Sequence, residues 1–279
     1  MEIILATKVG FCFGVKRAFN LALKTSKAVR PCQVLGPLVH NESVIRKLQE
    51  SGVEFINSLD EAKSGVIIIP THGEDPEVLQ RIKEMGIKMV DATCPLVKNV
   101  QDLTKDLHEK GNQIIIIGDK EHKEIRSIQA VIKRRGIIID SEEEAFRLEI
   151  KNKSLAIIAQ TTQNPVKVKE IIRVLKKRFK NLKFYNTICP SVSAYQEGLK
   201  ELALRVDLLL IIGSKTSANT NRLVEIAKAV GKPVYHIENA SQLKKKRFLN
   251  VKTLGIATGT STPDWLIKEV IQKLKSYAP

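Results

Sequence analysis

Three cysteines, Cys12, Cys94 and Cys189, stand roughly a third of the 279-residue chain apart, each where an apolar run gives way to an amphipathic one. Three thiolates from three segments can hold a metal or a cluster while leaving one coordination position free. The chain has no Cys-x-x-Cys pair, which disfavours a zinc ribbon, and no clustered cysteine triplet of the kind used in radical S-adenosylmethionine chemistry. A three-cysteine iron–sulfur cluster stays open, and an iron without a protein thiolate would be a Lewis-acidic site for a substrate oxygen. The competing reading for each thiol taken alone is packing, since a lone cysteine behaves as a small hydrophobe.

The elements that would carry these residues follow from the apolar runs. Short β-branched stretches ("EIILAT", "VIIIP", "KMVDAT", "QIIIIG", "GIIID", "LAIIAQT", "LKFYNT", "DLLLIIGS", "PVYHIE", "TLGIAT") alternate with helix-length amphipathic segments. Runs apolar on both faces mark buried parallel strands, and the segments between them mark βαβ crossovers, so the expected class is α/β with mostly parallel sheets. Cys94 and Cys189 share a frame, "KMVDATCP" and "FYNTICP", in which a strand ends in Cys-Pro. Proline there is pre-organised for a first helical turn. Cys12 likewise follows "EIILAT" and precedes "VKRAFNLALKTSK". Three subdomains of one βα type are therefore expected, over residues 1–94, 95–189 and 190–279. Cys32, in "VRPCQVLG", precedes its strand instead, and its expected role is packing.

Open parallel sheets bind ligands beyond the carboxyl ends of their strands. His40 follows "QVLG", His72 follows "VIII", and His122 and Glu124 follow "QIIIIG". Thr161 and Thr162 follow "LAIIA"; Ser214, Ser217 and Asn219 follow "DLLLII"; Ser261 follows "LGIAT". Each has a bland account on its own, because Ser, Thr and Asn commonly cap helices and a histidine before a helix is often solvated. Separate structural roles explain their shared placement badly. Ser217, Asn219 and Ser261 at helix starts, with three histidines, would suit a diphosphate, since unsatisfied N–H groups and the helix dipole favour anions. Glu124 is pulled two ways, its pKa lowered by the dipole and raised by any burial. His108, within a helix, and His236, inside "VYHIE", are assigned to structure.

Lysine and arginine number 46 against 30 acidic residues, a formal charge of +16 that favours anionic partners. Only 5% of residues are aromatic, too few for base-stacking platforms, so nucleic acid is not an expected partner. No run of eighteen apolar residues occurs and no leader pattern opens the chain, so a cytoplasmic protein without a membrane partner is expected. Its cysteines then serve metal binding, catalysis or packing.

The stretches "GFCFGVKRA", "HN" at 40–41, "HG" at 72–73, "DATCP", His-Lys-Glu at 122–124, "AQTTQN", "TICP", "GSKTSANTNRL" and "GTSTPDW" follow one another along the chain. In kind and order this series resembles the 4-hydroxy-3-methylbut-2-enyl diphosphate reductases, the LytB or IspH family, over nearly the whole sequence. The resemblance implies three α/β subdomains in a pseudo-threefold arrangement around one central 4Fe-4S cluster, ligated by Cys12, Cys94 and Cys189. It implies a diphosphate pocket of His40, His72, His122, Thr161, Thr162, Ser217, Asn219 and Ser261. Glu124 is the implied proton source, with His122 and Thr161 beside it in catalysis. The implied reaction is a reductive dehydroxylation, in which two electrons and two protons remove water to give isopentenyl and dimethylallyl diphosphate, the last step of the non-mevalonate isoprenoid route. An acidic ferredoxin or flavodoxin is the implied electron donor, and a monomer the implied unit, with a weak dimer as the alternative. Phe11 and Phe13 would shield the cluster from water. The sequence departs from the family's pattern at Val192 and Tyr195, where threonine and arginine are common, at Ala218 for a serine, at Lys123 for a proline and at Pro70 for an arginine. These changes bear on the pocket and leave the cysteines untouched.

Overall fold

In the computed structural model, which describes residues 1–151 and 154–277, the apolar runs are strands and the segments between them helices. The strands form three four-stranded sheets. One has the order β3 (Val53–Ile56), β2 (Cys32–Leu35), β4 (Val66–Ile69), β5 (Lys88–Asp91). A second has the order β7 (Ile137–Ile139), β6 (Gln113–Ile117), β8 (Leu155–Ala159), β9 (Leu182–Phe184). The third joins the two ends of the chain: β1 (Glu2–Leu5), β12 (Thr253–Thr258), β10 (Leu208–Ile212), β11 (Val234–Ile237). The registered pairs in all three are parallel, as the continuous apolar runs require.

The three sheets share one strand order. Counting from β2, β6 and β10 as first strands, each runs second, first, third, fourth. The third sheet takes its fourth strand from the start of the chain, where β1 lies in register on β12.

Residues 1–27, 37–54 and 190–279 make one compact unit, and residues 28–36 and 55–189 a second. In the first unit, Leu209 and Ile211 of β10 pack with Leu199 and Leu202 of α8 (Pro190–Ala203) and Leu223 and Ile226 of α9 (Ala218–Ala229). Leu210 and Ile212 point the other way, onto Leu266, Val270 and Leu274 of α10 (Asp264–Lys275). In the second unit, Ile115 and Ile117 of β6 meet Val168, Ile171 and Leu175 of α7 (Pro165–Arg178). Ile114 and Ile116 meet Val100 and Leu107 of α4 (Pro95–Glu109) and Ile125 and Ile128 of α5 (Lys123–Val131). Successive strand side chains face opposite sides, so a strand covered on both faces must be apolar at every position. Burying each such side chain contributes about 1.5–3 kcal/mol before conformational entropy is subtracted. β3 escapes the apolar pattern because it is an edge strand whose Glu54 is exposed.

Candidate functional site

The fourth strands β1, β5 and β9 each lead into a cysteine, and the same backbone bond pins all three. The N–H of Cys12 donates to the carbonyl of Thr260 at 3.0 Å, that of Cys94 to Thr71 at 2.9 Å and that of Cys189 to Thr161 at 2.9 Å. These threonines lie in the loops after the third strands β12, β4 and β8, and the residues that follow them are Ser261, His72 and Thr162. The first strands turn at Gly213, Gly36 and Gly118, whose N–H groups donate to Ile237, Ile56 and Ile139 at the ends of the second strands. Four residues beyond each glycine stand Ser217, His40 and His122. First and third strands are neighbours whose connections leave in opposite directions, the place where open α/β sheets bind ligands.

In the second unit, Glu124 sits in the first turn of α5 and is buried. Its Oε1 accepts the backbone N–H of Thr161 at 2.7 Å and its Oε2 the Thr161 hydroxyl, also at 2.7 Å. Burial raises the Glu124 pKa above the ordinary glutamate value, and the two bonds from Thr161 oppose that without cancelling it. Thr161 therefore joins two groups: its N–H and hydroxyl hold Glu124, and its carbonyl holds Cys189. Cys94 is the residue before α4, with Pro95 in the first helical position. Burial pushes its thiol pKa up, the N–H groups of Leu96 and Val97 pull it down, and the charges of Cys189 and Glu124 add to the rise.

His122 caps α5, its Nδ1 accepting the N–H of Glu124 at 3.2 Å, so in the neutral ring Nε2 carries the proton and donates. His72 has the opposite tautomer: buried, it donates from Nδ1 to the Gly73 carbonyl at 2.9 Å. The Ser127 hydroxyl donates to the His72 carbonyl at 2.8 Å, and Gln101 Nε2 donates to Ser127 Oγ at 3.0 Å, tying the His72 loop to α5 and α4. His72 also lines a cleft of about 630 Å³ with Lys123, whose pKa burial lowers while nearby Glu74 acts to raise it. The Thr162 hydroxyl accepts from Gln160 Nε2 at 3.1 Å.

In the first unit, Cys12 lies just before α1 (Phe13–Ala28), and Lys16 N–H closes the first turn onto its carbonyl at 2.9 Å. The loop before it is held from two sides: Gly10 N–H donates to Thr258 Oγ1 at 2.9 Å, and the buried Tyr195 hydroxyl donates to the Gly10 carbonyl at 3.0 Å. Gly10 has φ +88°, and a β-carbon there would lie 2.5 Å from Asp264 Oδ1, so only glycine fits. Burial drives the Tyr195 pKa well above its ordinary range, with Cys12 and Asp264 adding to the rise. Phe11 packs against Phe19 and Trp265, with ring centroids 5.6 and 5.9 Å away. Phe13 is 72% exposed, which does not fit the shielding role expected of it; as the first residue of α1, it projects from the outer face of the helix.

Ser217 caps α9, accepting the N–H of Thr220 at 3.3 Å, and Ser261 donates to the His40 carbonyl at 3.3 Å. Asn219 and Thr220 are buried in the first turn of α9. Neither amide atom of Asn219 nor Thr220 Oγ1 has a hydrogen-bond partner among the described residues. Buried amides left unsatisfied in this way are rare outside ligand sites. Ala218 precedes them at the first helical position. His40 opens onto a separate cleft of about 970 Å³, shared with Asn41, Ser214 and Glu238.

Sequence reasoning missed the Ser127–Gln101 tether, the Tyr195 bond to Gly10 and the orphaned Thr220 hydroxyl. Of these only Tyr195 gave a signal, as a departure from the family pattern. Cys32 is fully buried in β2, and His236 donates from Nε2 to the Gly213 carbonyl at 2.8 Å, both structural as expected. No helix among the described residues is long and apolar enough to cross a membrane.

Comparison with known proteins bears on the same residues. The chain is 37% identical over 274 residues to the 4-hydroxy-3-methylbut-2-enyl diphosphate reductase of Pelobacter propionicus, covering 98% of each chain. It is 38% identical over 280 residues to that of Aquifex aeolicus, covering 99% of this chain and 96% of the relative. Among solved structures it resembles the E-1-hydroxy-2-methyl-but-2-enyl-4-diphosphate reductase of Plasmodium falciparum, with a TM-score of 0.94 at 26% identity over 98% of this chain and 88% of that one. It also resembles a structure described as (E)-4-hydroxy-3-methyl-but-2-enyl diphosphate reductase, the terminal enzyme of the non-mevalonate pathway, with a TM-score of 0.73 at 38% identity over 99% and 100% of the two chains. The profile of the LytB protein family matches residues 3–275, so with full-length relatives at more than a third identity the chain belongs to that family.

Proposed function

We propose that this chain is a 4-hydroxy-3-methylbut-2-enyl diphosphate reductase, removing the substrate hydroxyl as water to give isopentenyl and dimethylallyl diphosphate. The observation that carries the reading is Thr161, whose backbone and hydroxyl couple a buried Glu124, its pKa raised by that burial, to one of three equivalently placed cysteines. The donor set suits an iron–sulfur cluster ligated by Cys12, Cys94 and Cys189. None of the three is in a disulfide, and each stands at the start of a helix with its backbone N–H pinned. Within the second unit Cys94 also feels the charge of Cys189. Among the described residues no three His, Cys, Asp or Glu side chains converge on one ion; cluster ligands bind different irons and need not do so. A bound 4Fe-4S cluster would supply electrons and, at the iron without a thiolate, Lewis acidity.

The chain's own residues bind the anion and deliver protons. The Asn219 amide, the start of α9, Ser217, Ser261, His40 and His122 offer hydrogen bonds to a diphosphate, with His122 donating from Nε2, and His72 does so from Nε2 in its doubly protonated form. Because the Thr161 N–H occupies Oε1, a proton on Glu124 sits on Oε2, where it donates to Thr161 Oγ1 and turns that hydroxyl's own proton outward. Glu124 and Thr161 thus form a two-member relay, with Thr162 next in the loop. An acidic one-electron carrier, ferredoxin or flavodoxin, suits the +16 charge as donor, and a cytoplasmic setting in which thiols stay reduced belongs to the same reading.

The test is anaerobic turnover of the hydroxylated diphosphate with dithionite after cluster reconstitution. Wild type should turn over, and Glu124→Gln should lose on the order of 10²-fold or more in kcat. A protein that takes up no iron, or a Glu124→Gln variant with the wild-type rate, would overturn the reading.

A further inference from the structure

Resting on the reductase reading, we propose that the outer face of α1 is where an acidic one-electron carrier protein docks to deliver electrons beside Cys12. The helix starts at Phe13, directly after that cysteine. Phe13 is 72% exposed, and it heads a stripe of exposed residues, Lys16, Asn20, Lys24 and Lys27, spaced three or four apart. That spacing keeps all five on one side of the helix over roughly 20 Å. The helix carries four cations and no carboxylate. Among the described residues Lys16, Lys24 and Lys27 make no ion pair, so their charge is directed to solvent.

The other strongly basic helix is compensated in part. On α7, Lys167 pairs with Asp140, Arg173 with Glu142, and Arg178 lies over the Phe146 and Phe179 rings. It also carries its own carboxylate, Glu170. An exposed aromatic at one end of an uncompensated lysine stripe has the composition of a docking face: an apolar anchor with a polar rim whose charges steer the encounter. Its position fits the electron count. Each turnover consumes two electrons and two protons and releases one water, so two reduced carriers must dock in turn, and each leaves oxidised by one electron.

The experiment compares two ways of supplying electrons to the reconstituted enzyme: dithionite, and a purified acidic ferredoxin kept reduced by its own reductase and NADPH. Lys16→Glu/Lys24→Glu should keep the dithionite-driven rate and lose on the order of tenfold or more in the second-order rate with ferredoxin. Phe13→Ala should raise the KM for ferredoxin with the dithionite rate unchanged. Lys169→Glu/Lys176→Glu on α7 makes the same change in net charge at exposed positions and should leave the ferredoxin rate near wild type. The proposal fails if Lys16→Glu/Lys24→Glu keeps its ferredoxin rate, if the α7 pair slows it equally, or if dithionite-driven turnover falls in parallel. Failure of the reductase reading is distinct, since wild type would then not turn over with dithionite.

Discussion

Gly259→Ala tests how the proposed diphosphate end of the site is held. Gly259 follows β12, its N–H donating to Ile212 at 2.9 Å, two residues before Ser261. A β-carbon there would lie 2.1 Å from Thr220 Oγ1 and 3.3 Å from Thr220 Cβ. Thr220 has little room to yield, because its hydroxyl is carried on a β-carbon that would itself be only 3.3 Å away, and the residue is fully buried. The start of α9 must therefore shift, moving the neighbouring Asn219 amide. Overpacking of this kind costs about 1–3 kcal/mol of stability. A lost hydrogen bond to a charged group is worth about 1.5–3 kcal/mol, so KM for the diphosphate should rise roughly 10- to 100-fold, with kcat changing less. Thr220→Ala deletes the clashing oxygen and leaves the 3.3 Å contact, so the double variant should recover both properties, with a coupling of about 1–2 kcal/mol in urea denaturation. Additive effects, or Gly259→Ala with wild-type stability and KM, would refute the steric argument.

Thr161→Val keeps the backbone bonds to Glu124 and Cys189 and removes the hydroxyl that favours the charged carboxylate. The alkaline limb of kcat against pH should therefore move upward while the maximal rate falls; a downward move would contradict the relay. Burial raises the Glu124 pKa, so its share of stability is fully present below the unfolded value of about 4.3 and lost as pH rises through the folded one. Glu124→Gln should accordingly gain stability over wild type at pH 8 and not at pH 4, checked by denaturant midpoints. Tyr195→Phe leaves the Gly10 carbonyl without its buried donor and should destabilise the protein by about 1–3 kcal/mol while hastening iron loss in air, followed by the cluster's visible absorbance.

The fold was legible because its central strands are buried on both faces, which leaves almost no polar position in runs such as Gln113–Ile117 or Leu208–Ile212. β3 was not, since an edge strand with an exposed glutamate looks like a turn with a few apolar residues. The placement of the candidate site residues was legible, as polar side chains just beyond strand ends. What they bond to was not, because those contacts join distant segments: Gly10 with Thr258 and Tyr195, and Glu124 with Thr161. The opposing pulls on Glu124 could be named from sequence, whereas only the depth of its burial decides the direction. Phe13 misled because an aromatic beside a cysteine reads as a shield until the helix phase is known. Its place on the outer face of α1 follows from where the first turn begins.

The repeated strand order divides the labour within each sheet. Fourth strands carry the cysteines and are partly exposed, β1 and β5 at both ends and β9 at its centre. First and third strands, which lead into His40, His72, His122, Glu124, Asn219 and the threonines, are buried almost throughout. An edge strand has one neighbour and frays more readily than a central one. The bond from each cysteine N–H to a threonine carbonyl compensates, tying the segment after the edge strand to the loop after the third strand. Since that anchor uses only backbone, the side chain after the threonine is free to differ, and it does: His72, Thr162 and Ser261. One scaffold turn, used three times, thus fixes three cysteines in the same way while leaving three unlike side chains beside them.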